Sequence, residues 1–117
     1  MPAIINRELG NIIIDDNVIA NIVGISAMES YGIVGMASKN ATDGIFELLR
    51  FENLSKGIKV NTEDNQINIE LHVILEYGVK ISTVCENIIE RVKYNVEDLT
   101  GLTVDNIEIS VEGIRLK

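Results

Sequence analysis

Carboxylates are the side chains of this sequence that could most readily do chemistry, and six of them lie close together near the C-terminal end. The segment VEDLTGLTVDNIEISVEG, residues 96–113, follows Glu90 and contains Glu97, Asp98, Asp105, Glu108 and Glu112. Carboxylates serve as general acids or bases and as ligands of hard cations. The segment contains no histidine or cysteine. The series is therefore a reaction site, a metal site or the solvent-exposed side of a fold.

His72 and Cys85 are the only histidine and the only cysteine of the chain. Glu70 and Glu76 flank His72, but they would suit acid–base catalysis only if a pocket enclosed them. Cys85 falls on the apolar side of a predicted helix, so we interpret it as a small buried hydrophobe rather than a nucleophile. One cysteine is also a poor basis for a zinc site, and it suits a reducing compartment. We predict no catalytic residue, no cofactor and no metal.

Length and charge narrow the class of protein further. A chain of 117 residues fits a single domain, residues 1–117, and 46% hydrophobic residues suffice for a core. A net charge of -8 argues against nucleic acid and anionic lipid surfaces, which both require clustered basic residues. No signal-peptide pattern and no apolar run near ~20 residues occurs, which predicts a cytoplasmic protein without direct membrane insertion.

The first half of the chain shows the periodicity of a strand followed by a helix. Asn11 to Ile14 reads as a strand, and Asp15 or Asp16 could cap a helix that we expect Gly32 to end as a left-handed cap. The apolar residues of this helix are Val18, Ile19, Ile22, Val23, Ile25 and Met28. GIVGMAS then predicts a short apolar strand, and NATDGIFELLRFENLS predicts a short helix or an irregular turn.

A β-hairpin is predicted next, from Gly57 to Gly78, with TEDNQ as its turn. The apolar residues that alternate along it should point to the core: Ile58, Val60, Ile67, Ile69, Leu71, Val73, Leu75 and Tyr77. The opposite side of the second strand carries Asn68, Glu70, His72, Ile74 and Glu76. Because most of these are polar, we expect that side to face water.

A second helix and a last strand complete the chain. Thr83 and Glu86 have the spacing of a capping box, and Gly101 should end the helix. Its apolar stripe contains Val84, Cys85, Ile88, Ile89, Val92, Val96 and Leu99. The last strand alternates Ile107, Ile109 and Val111 inward with Glu108, Ser110 and Glu112 outward. The alternation ends at Gly113, which indicates a bulge.

The element order is thus β-α-β-(α)-β-β-α-β, which predicts an α+β two-layer sandwich. One mixed or antiparallel sheet of about five strands should carry two main helices on one face. Periods of 3.6 and 2 residues then account for the acidic series as the outer sides of a helix and a strand. The outer sheet face is our candidate interaction face, formed by Glu70, His72, Glu76, Glu108, Ser110 and Glu112.

Several segments resemble, in order, the bacterial alkaline shock protein family of envelope stress response proteins (Gls24-like). They are GNIIIDDNVIANIVGISAMESYGIVGM, LSKGIKV and HVILEYGVKISTVCENIIERVKYNVEDLTGLTVDNIEISVEGI. Tyr31 stands where that family usually has a proline, and the chain resembles its short, single-domain subgroup. The resemblance implies a non-enzymatic cytoplasmic protein, typical of Gram-positive bacteria, that self-associates and is held near the membrane through a membrane-anchored partner.

Three hypotheses on function follow. The first is an interaction module that uses the polar sheet face or an exposed strand edge to bind a partner or another copy, as a homo-oligomer. The second, from the resemblance alone, is a regulator of lipid or fatty-acid metabolism that acts through an enzyme partner. The third is a small-molecule-binding or enzymatic domain, which would need a concave site enclosing His72 or the carboxylates.

Overall fold

The computed structural model of the protein describes residues 2–37 and 57–116, and these form six strands and two helices. In chain order they are β1 (Ala3–Arg7), β2 (Gly10–Ile14), α1 (Asp16–Met28), β3 (Ile33–Met36), β4 (Ile58–Glu63), β5 (Gln66–Glu76), α2 (Ile81–Thr100) and β6 (Thr103–Arg115). The predicted α+β class is confirmed. The helix or turn predicted from NATDGIFELLRFENLS lies outside the described residues.

Within residues 2–37 and 57–116, strand β5 is the centre of a four-stranded sheet. It pairs in parallel with β6 along its whole length, from Gln66 opposite Thr103 to Glu76 opposite Arg115. The other edge of β5 pairs antiparallel with two strands, with β4 along residues 66–71 and with β3 along residues 73–75. Helix α2 makes the long crossover that a parallel pair requires. Among the described strands, β6 is therefore an edge strand of this sheet.

Both helices cover the same face of the sheet, as predicted. One core cluster joins the apolar side of β5 to α1, α2 and the hairpin formed by β1 and β2. Its buried members include Ala3, Ile19, Val23, Ile67, Ile69, Leu71, Val73, Leu75, Val84, Ile88, Val92 and Val96. β-Branched and Leu side chains dominate it, which suits a pleated sheet packed against helices. This core cluster therefore lies on one side of β5.

The β4–β5 turn confirms the predicted hairpin. Asp64 and Asn65 have φ values of 52° and 61°. Asparagine and aspartate tolerate this left-handed conformation better than other residues with side chains, and two such residues in a row match the twist of the flanking strands. The turn thereby fixes the register from Ile58 opposite Leu71 to Glu63 opposite Gln66.

The expectation of a single sheet of about five strands was wrong in one respect, because β1 and β2 form a separate two-stranded sheet. The sequence reading found β2 but missed β1. The two strands pair antiparallel from Ala3 opposite Ile14 to Arg7 opposite Gly10. Glu8 and Leu9, which connect them, are not typical turn residues, so the hairpin has no local turn signal.

Helix α1 begins as predicted and ends earlier. The Asp15 side chain accepts a hydrogen bond from the Asn17 backbone N–H at 2.8 Å, which makes Asp15 the N-cap. The prediction that Gly32 ends the helix was wrong, since the helix ends at Met28 with Glu29 as its cap. Gly32 does have a left-handed φ of 88°, but it serves the entry to β3.

Helix α2 departs from the sequence prediction at both ends of its stripe. Its N-cap is Lys80, which has no side-chain cap in the part of the chain that the structure describes, so Thr83 and Glu86 form no capping box. Leu99 belongs to the apolar stripe but is exposed. Periodicity shows which side of a helix is apolar, but it does not show how far along the helix the sheet covers that side. Gly101 ends the helix as predicted, with φ 74°.

Three further apolar side chains lie differently from the prediction. Tyr77 is exposed, because it follows the end of β5 instead of continuing its apolar side. Val18 and Ile25 of α1 are exposed as well, on the side of the helix away from Ile19 and Val23.

Candidate interaction surfaces

The polar face of the sheet, opposite the helices, centres on His72 of β5. Its Nδ1 lies 2.7 Å from Oε1 of Glu112, and the Ser110 hydroxyl donates to the same oxygen at 2.7 Å. Ser110 and Glu112 are two residues apart in β6, so strand alternation places both on the polar face beside His72. Glu112 also lies at a bulge, because Val73 lies opposite Val111 and Ile74 opposite Gly113, which makes Glu112 the extra residue.

These hydrogen bonds stabilise the ionised form of Glu112. The bond from His72, and after it the bond from Ser110, lower the pKa of the Glu112 carboxyl below its usual range. With its Nδ1–H directed at the carboxylate, His72 has its Nε2 buried without a hydrogen-bond partner among the described residues. Nε2 lies 3.7 Å from Oε2 of Glu70, which is beyond hydrogen-bond distance.

The three side chains do not form a nucleophilic triad. Activation of a serine requires a base that accepts the proton of its hydroxyl, and the base is usually oriented by a third group. Here the hydroxyl of Ser110 and the imidazole of His72 both donate to one carboxylate. The arrangement therefore joins the two strands and supplies no activated nucleophile. In residues 2–37 and 57–116, His, Cys, Asp and Glu form no group of three or more that could hold a metal ion.

The structure brings the residues of the predicted interaction face onto two neighbouring strands. Glu70 lies opposite Glu108, and His72 opposite Ser110. Glu76 lies at the far end of the face, opposite Arg115. Whether a partner binds this face stays a prediction.

The expectation that this face is exposed to water was wrong in part. Ile74, in the middle of the face, is only 1% exposed and lies outside the main core cluster. Asn68, Glu70, His72 and Glu76 are half-buried. Of the predicted face on β6, Glu108 is exposed, and Ser110 and Glu112 are half-buried. The exposed carboxylate of the face is thus on β6.

The outer edge of β6 is a second candidate surface. Within the described part of the chain, β6 pairs with β5 alone. Two bulges interrupt it, one at Asp105 and one at Glu112, and they leave a regular run of six residues, Asn106–Val111. Ile107, Ile109 and Val111 pack against the core but are only half-buried. An unpaired strand edge is a template for a further strand.

The hairpin of β1 and β2 is a third candidate surface, and sequence reasoning missed it. Asn65 of the β4–β5 turn holds it, because its side-chain amide accepts from the Ile4 N–H at 3.1 Å and donates to the Ile4 carbonyl at 2.9 Å. Ala3 is buried in the core, whereas Leu9 at the tip is fully exposed. The apolar runs on both sides of NRELGN were the available signal.

A groove between the end of α1 and the middle of α2 is lined by exposed aromatic and polar side chains. Tyr31 and Tyr94 are exposed in it, and Arg91 lies 3.7 Å from Glu29. Tyrosine is enriched among the residues that contribute most to protein–protein binding. The groove is open and shallow, and Glu90 of the acidic series lies on its wall. It encloses neither His72 nor Cys85.

Cys85 lies on α2, half-buried against the core. Burial raises the pKa of its thiol, which disfavours the reactive thiolate. None of the helices in the described ranges is long and apolar enough to cross a membrane.

Comparison with known proteins agrees with the resemblance seen in the sequence. The model of the alkaline shock protein 23 family, described as "cell envelope-related function", matches residues 4–116. The uncharacterized protein YloU of Bacillus subtilis is 46% identical over 113 residues, which cover 96% of this chain and 94% of that protein. The uncharacterized protein Spy1614 of Streptococcus pyogenes is 46% identical over 117 residues, or 99% and 97% of the two chains.

A more distant relative carries a functional name. The stress response regulator gls24 homolog of Streptococcus pyogenes is 26% identical over 108 residues, which cover 92% of this chain and 60% of that protein. No solved structure matches. Because the family model spans nearly the whole chain and two relatives share almost half of its residues, the protein belongs to the alkaline shock protein 23 family, whose function is related to the cell envelope.

Proposed function

We propose that this protein is a non-enzymatic interaction protein of the envelope stress response. It acts in the cytoplasm by self-association and by binding a membrane-anchored protein or an enzyme. The description of the family supports the link to the envelope, and the gls24 homolog supports the link to stress. The polar cluster of His72, Ser110 and Glu112 supports a non-catalytic role, because its hydrogen bonds hold the side chains without activating one.

The exposed hairpin of β1 and β2 is the observation that carries self-association. Ile4 is 41% exposed, Ile12 49% and Ile13 66%, and Leu9 is fully exposed. Ile4 and Ile13 lie opposite each other on one side of the hairpin. Isolated two-stranded hairpins are marginally stable in water, so a hairpin that exposes this much apolar surface gains from contact with another apolar surface.

The size of this surface suits a second copy of the chain. Ile12 points to the other side of the hairpin, so the shared surface consists of Ile4, Ile13 and Leu9 at the tip. Their exposed fractions together equal about two side chains, and burying one Ile or Leu contributes about 1.5–3 kcal/mol. Each copy thus offers about 3–6 kcal/mol, and a symmetric pair offers twice that. Association costs on the order of 4–15 kcal/mol in lost freedom of motion. Gain and cost are comparable, so we expect self-association that depends on protein concentration.

Mass measurement over a range of concentrations tests this proposal. We expect the wild-type protein to exceed its monomer mass of 12.9 kDa as the concentration rises. The double variant Leu9→Ser, Ile13→Thr should need at least about tenfold higher concentration, since about 1.4 kcal/mol of lost burial changes an equilibrium tenfold. Leu116→Ser is the matched control, because Leu116 is a similarly exposed leucine outside the hairpin.

Two results would contradict self-association through the hairpin. One is a wild-type protein that stays monomeric at every concentration, and the other is an equal shift in the control variant. Circular dichroism spectra of all variants should match the wild type, which separates lost association from lost folding.

A further inference from the structure

We propose that the outer edge of β6 binds an extended basic segment of a partner protein, which adds to the sheet as a further strand. This inference rests on the proposed function, since it names the chemistry of the partner and the place where it binds. It uses a different part of the molecule from the hairpin of β1 and β2.

The length of the site follows from the two bulges of β6. Between Asp105 and Glu112 the strand keeps regular pairing over six residues, Asn106–Val111, and no described strand occupies its outer side. Strand addition takes its affinity from backbone hydrogen bonds, and a bulge interrupts these bonds. At about 3.3 Å per residue, the segment that binds spans roughly 20 Å.

On the side of β6 that faces the helices, the edge favours apolar residues in the partner segment. Ile107, Ile109 and Val111 lie beside Ile69, Leu71 and Val73 of β5. The β5 side chains are at most 2% exposed, whereas those of β6 are only half-buried. A further strand would cover the β6 side chains as β6 covers those of β5. Every second residue of the partner segment should therefore be apolar.

The opposite side of the edge selects basic residues. One row of charged side chains crosses β4, β5 and β6 and consists of Lys59, Glu70 and Glu108. The row has a cation on β4 and an exposed carboxylate on β6, next to the outer edge. Glu112, whose lowered pKa keeps it ionised, ends the regular run. Lysine or arginine on the added strand would complete the row, because opposite charges on neighbouring strands attract.

Charge also favours this partner over a second copy at the same edge. The chain carries a net charge of -8, and β6 itself contributes Asp105, Glu108 and Glu112. Pairing two β6 strands would bring these carboxylates together, and like charges across strands are destabilising. A segment that alternates Lys or Arg with apolar residues suits both sides of the edge.

The test uses a fluorescent eight-residue peptide that alternates lysine with valine or threonine, added to the full-length protein. We expect saturable binding by fluorescence anisotropy that weakens as salt rises. Glu108→Lys should weaken it by about tenfold, since it replaces an attraction by a repulsion. The matched control Glu86→Lys changes the net charge equally on the exposed side of α2 and should have little effect.

Amide hydrogen exchange locates the bound peptide. Added protection confined to residues 106–111 supports strand addition at β6. The inference is overturned if protection falls elsewhere, if a peptide with glutamate in place of lysine binds equally well, or if a second copy of the chain protects this edge. Self-association through the hairpin is measured separately by mass, so failure of peptide binding leaves that proposal standing.

Discussion

Glutamine at position 112 should destabilise the protein by about 2–3 kcal/mol at neutral pH. The Glu112 carboxylate accepts two hydrogen bonds of 2.7 Å, from His72 and from Ser110. A hydrogen bond to a charged group contributes about 1.5–3 kcal/mol and one between neutral groups about 0.5–1.5 kcal/mol. Glutamine keeps an acceptor oxygen, so each bond weakens without disappearing. The Glu112 side chain is only 17% exposed, which limits screening by solvent.

The loss should depend on pH, and the direction follows from the lowered pKa of Glu112. The carboxyl is easier to protonate in the unfolded chain, where its ordinary pKa is 4.5, than in the fold. Its contribution to the free energy of unfolding is therefore complete above the ordinary pKa. It decreases as pH falls and is lost below the folded pKa. The difference between wild type and Glu112→Gln should shrink over the same range.

Urea unfolding at pH 7 and at successively lower pH measures both effects. Glu108→Gln is the matched control, because it removes the same charge from an exposed carboxylate of the same strand. Surface substitutions of this kind usually change stability by less than about 0.5 kcal/mol. The reasoning would be refuted if the control lost as much stability as Glu112→Gln, or if the deficit of Glu112→Gln stayed constant as pH fell.

Three other substitutions or measurements test the packing around the candidate surfaces. Gly32→Ala should cost about 2–5 kcal/mol in urea unfolding, because a Cβ there would lie 2.8 Å from a valine of α2 at φ 88°. Gly78→Ala, at φ 98° in open space, should cost only the backbone strain of about 1–2 kcal/mol. Asn65→Gly keeps the turn but removes both hydrogen bonds to β1, so amide exchange in the hairpin should accelerate, and Asp64→Gly should leave it unchanged. Labelling of native Cys85 by a thiol reagent should be at least about tenfold slower than in urea, since burial raises the pKa of its thiol.

The elements with unbroken periodicity were predictable from sequence. Strand β5 alternates from Gln66 to Val73, and the buried stripe of α2 runs from Val84 to Val96, so local pattern and burial agree over these ranges. The bulge near Gly113 was also visible, because the alternation of β6 fails there. In each case one side of the element contacts the core, and the sequence records which side that is.

The hairpin of β1 and β2 could not be predicted in the same way. Its strands are five residues each, and their pairing joins residues with no turn signal between them. Its position depends on Asn65, which lies 61 residues from Ile4. A contact of that sequence separation is set by the tertiary fold, so local composition carries no record of it.

The candidate face shows the same division between local and long-range information. Alternation placed Glu70 and His72 on one side of β5 and Glu108, Ser110 and Glu112 on one side of β6. That His72 and Glu112 would meet depends on the register of two strands joined by a twenty-residue helix. The burial of Ile74 on this face contradicts simple alternation of polar and apolar sides.

The bulge at Glu112 links the stability of the fold to the proposed binding edge. Its extra residue carries the carboxylate that accepts from His72 and Ser110, and the bulge ends the regular pairing of β6 after Val111. Glutamine weakens the two hydrogen bonds at the bulge, so Glu112→Gln should change both stability and the end of the region that a peptide protects. Glu108 takes no part in the bulge, so its substitution should change binding alone. Comparison of the two variants therefore separates the charge of the edge from its shape.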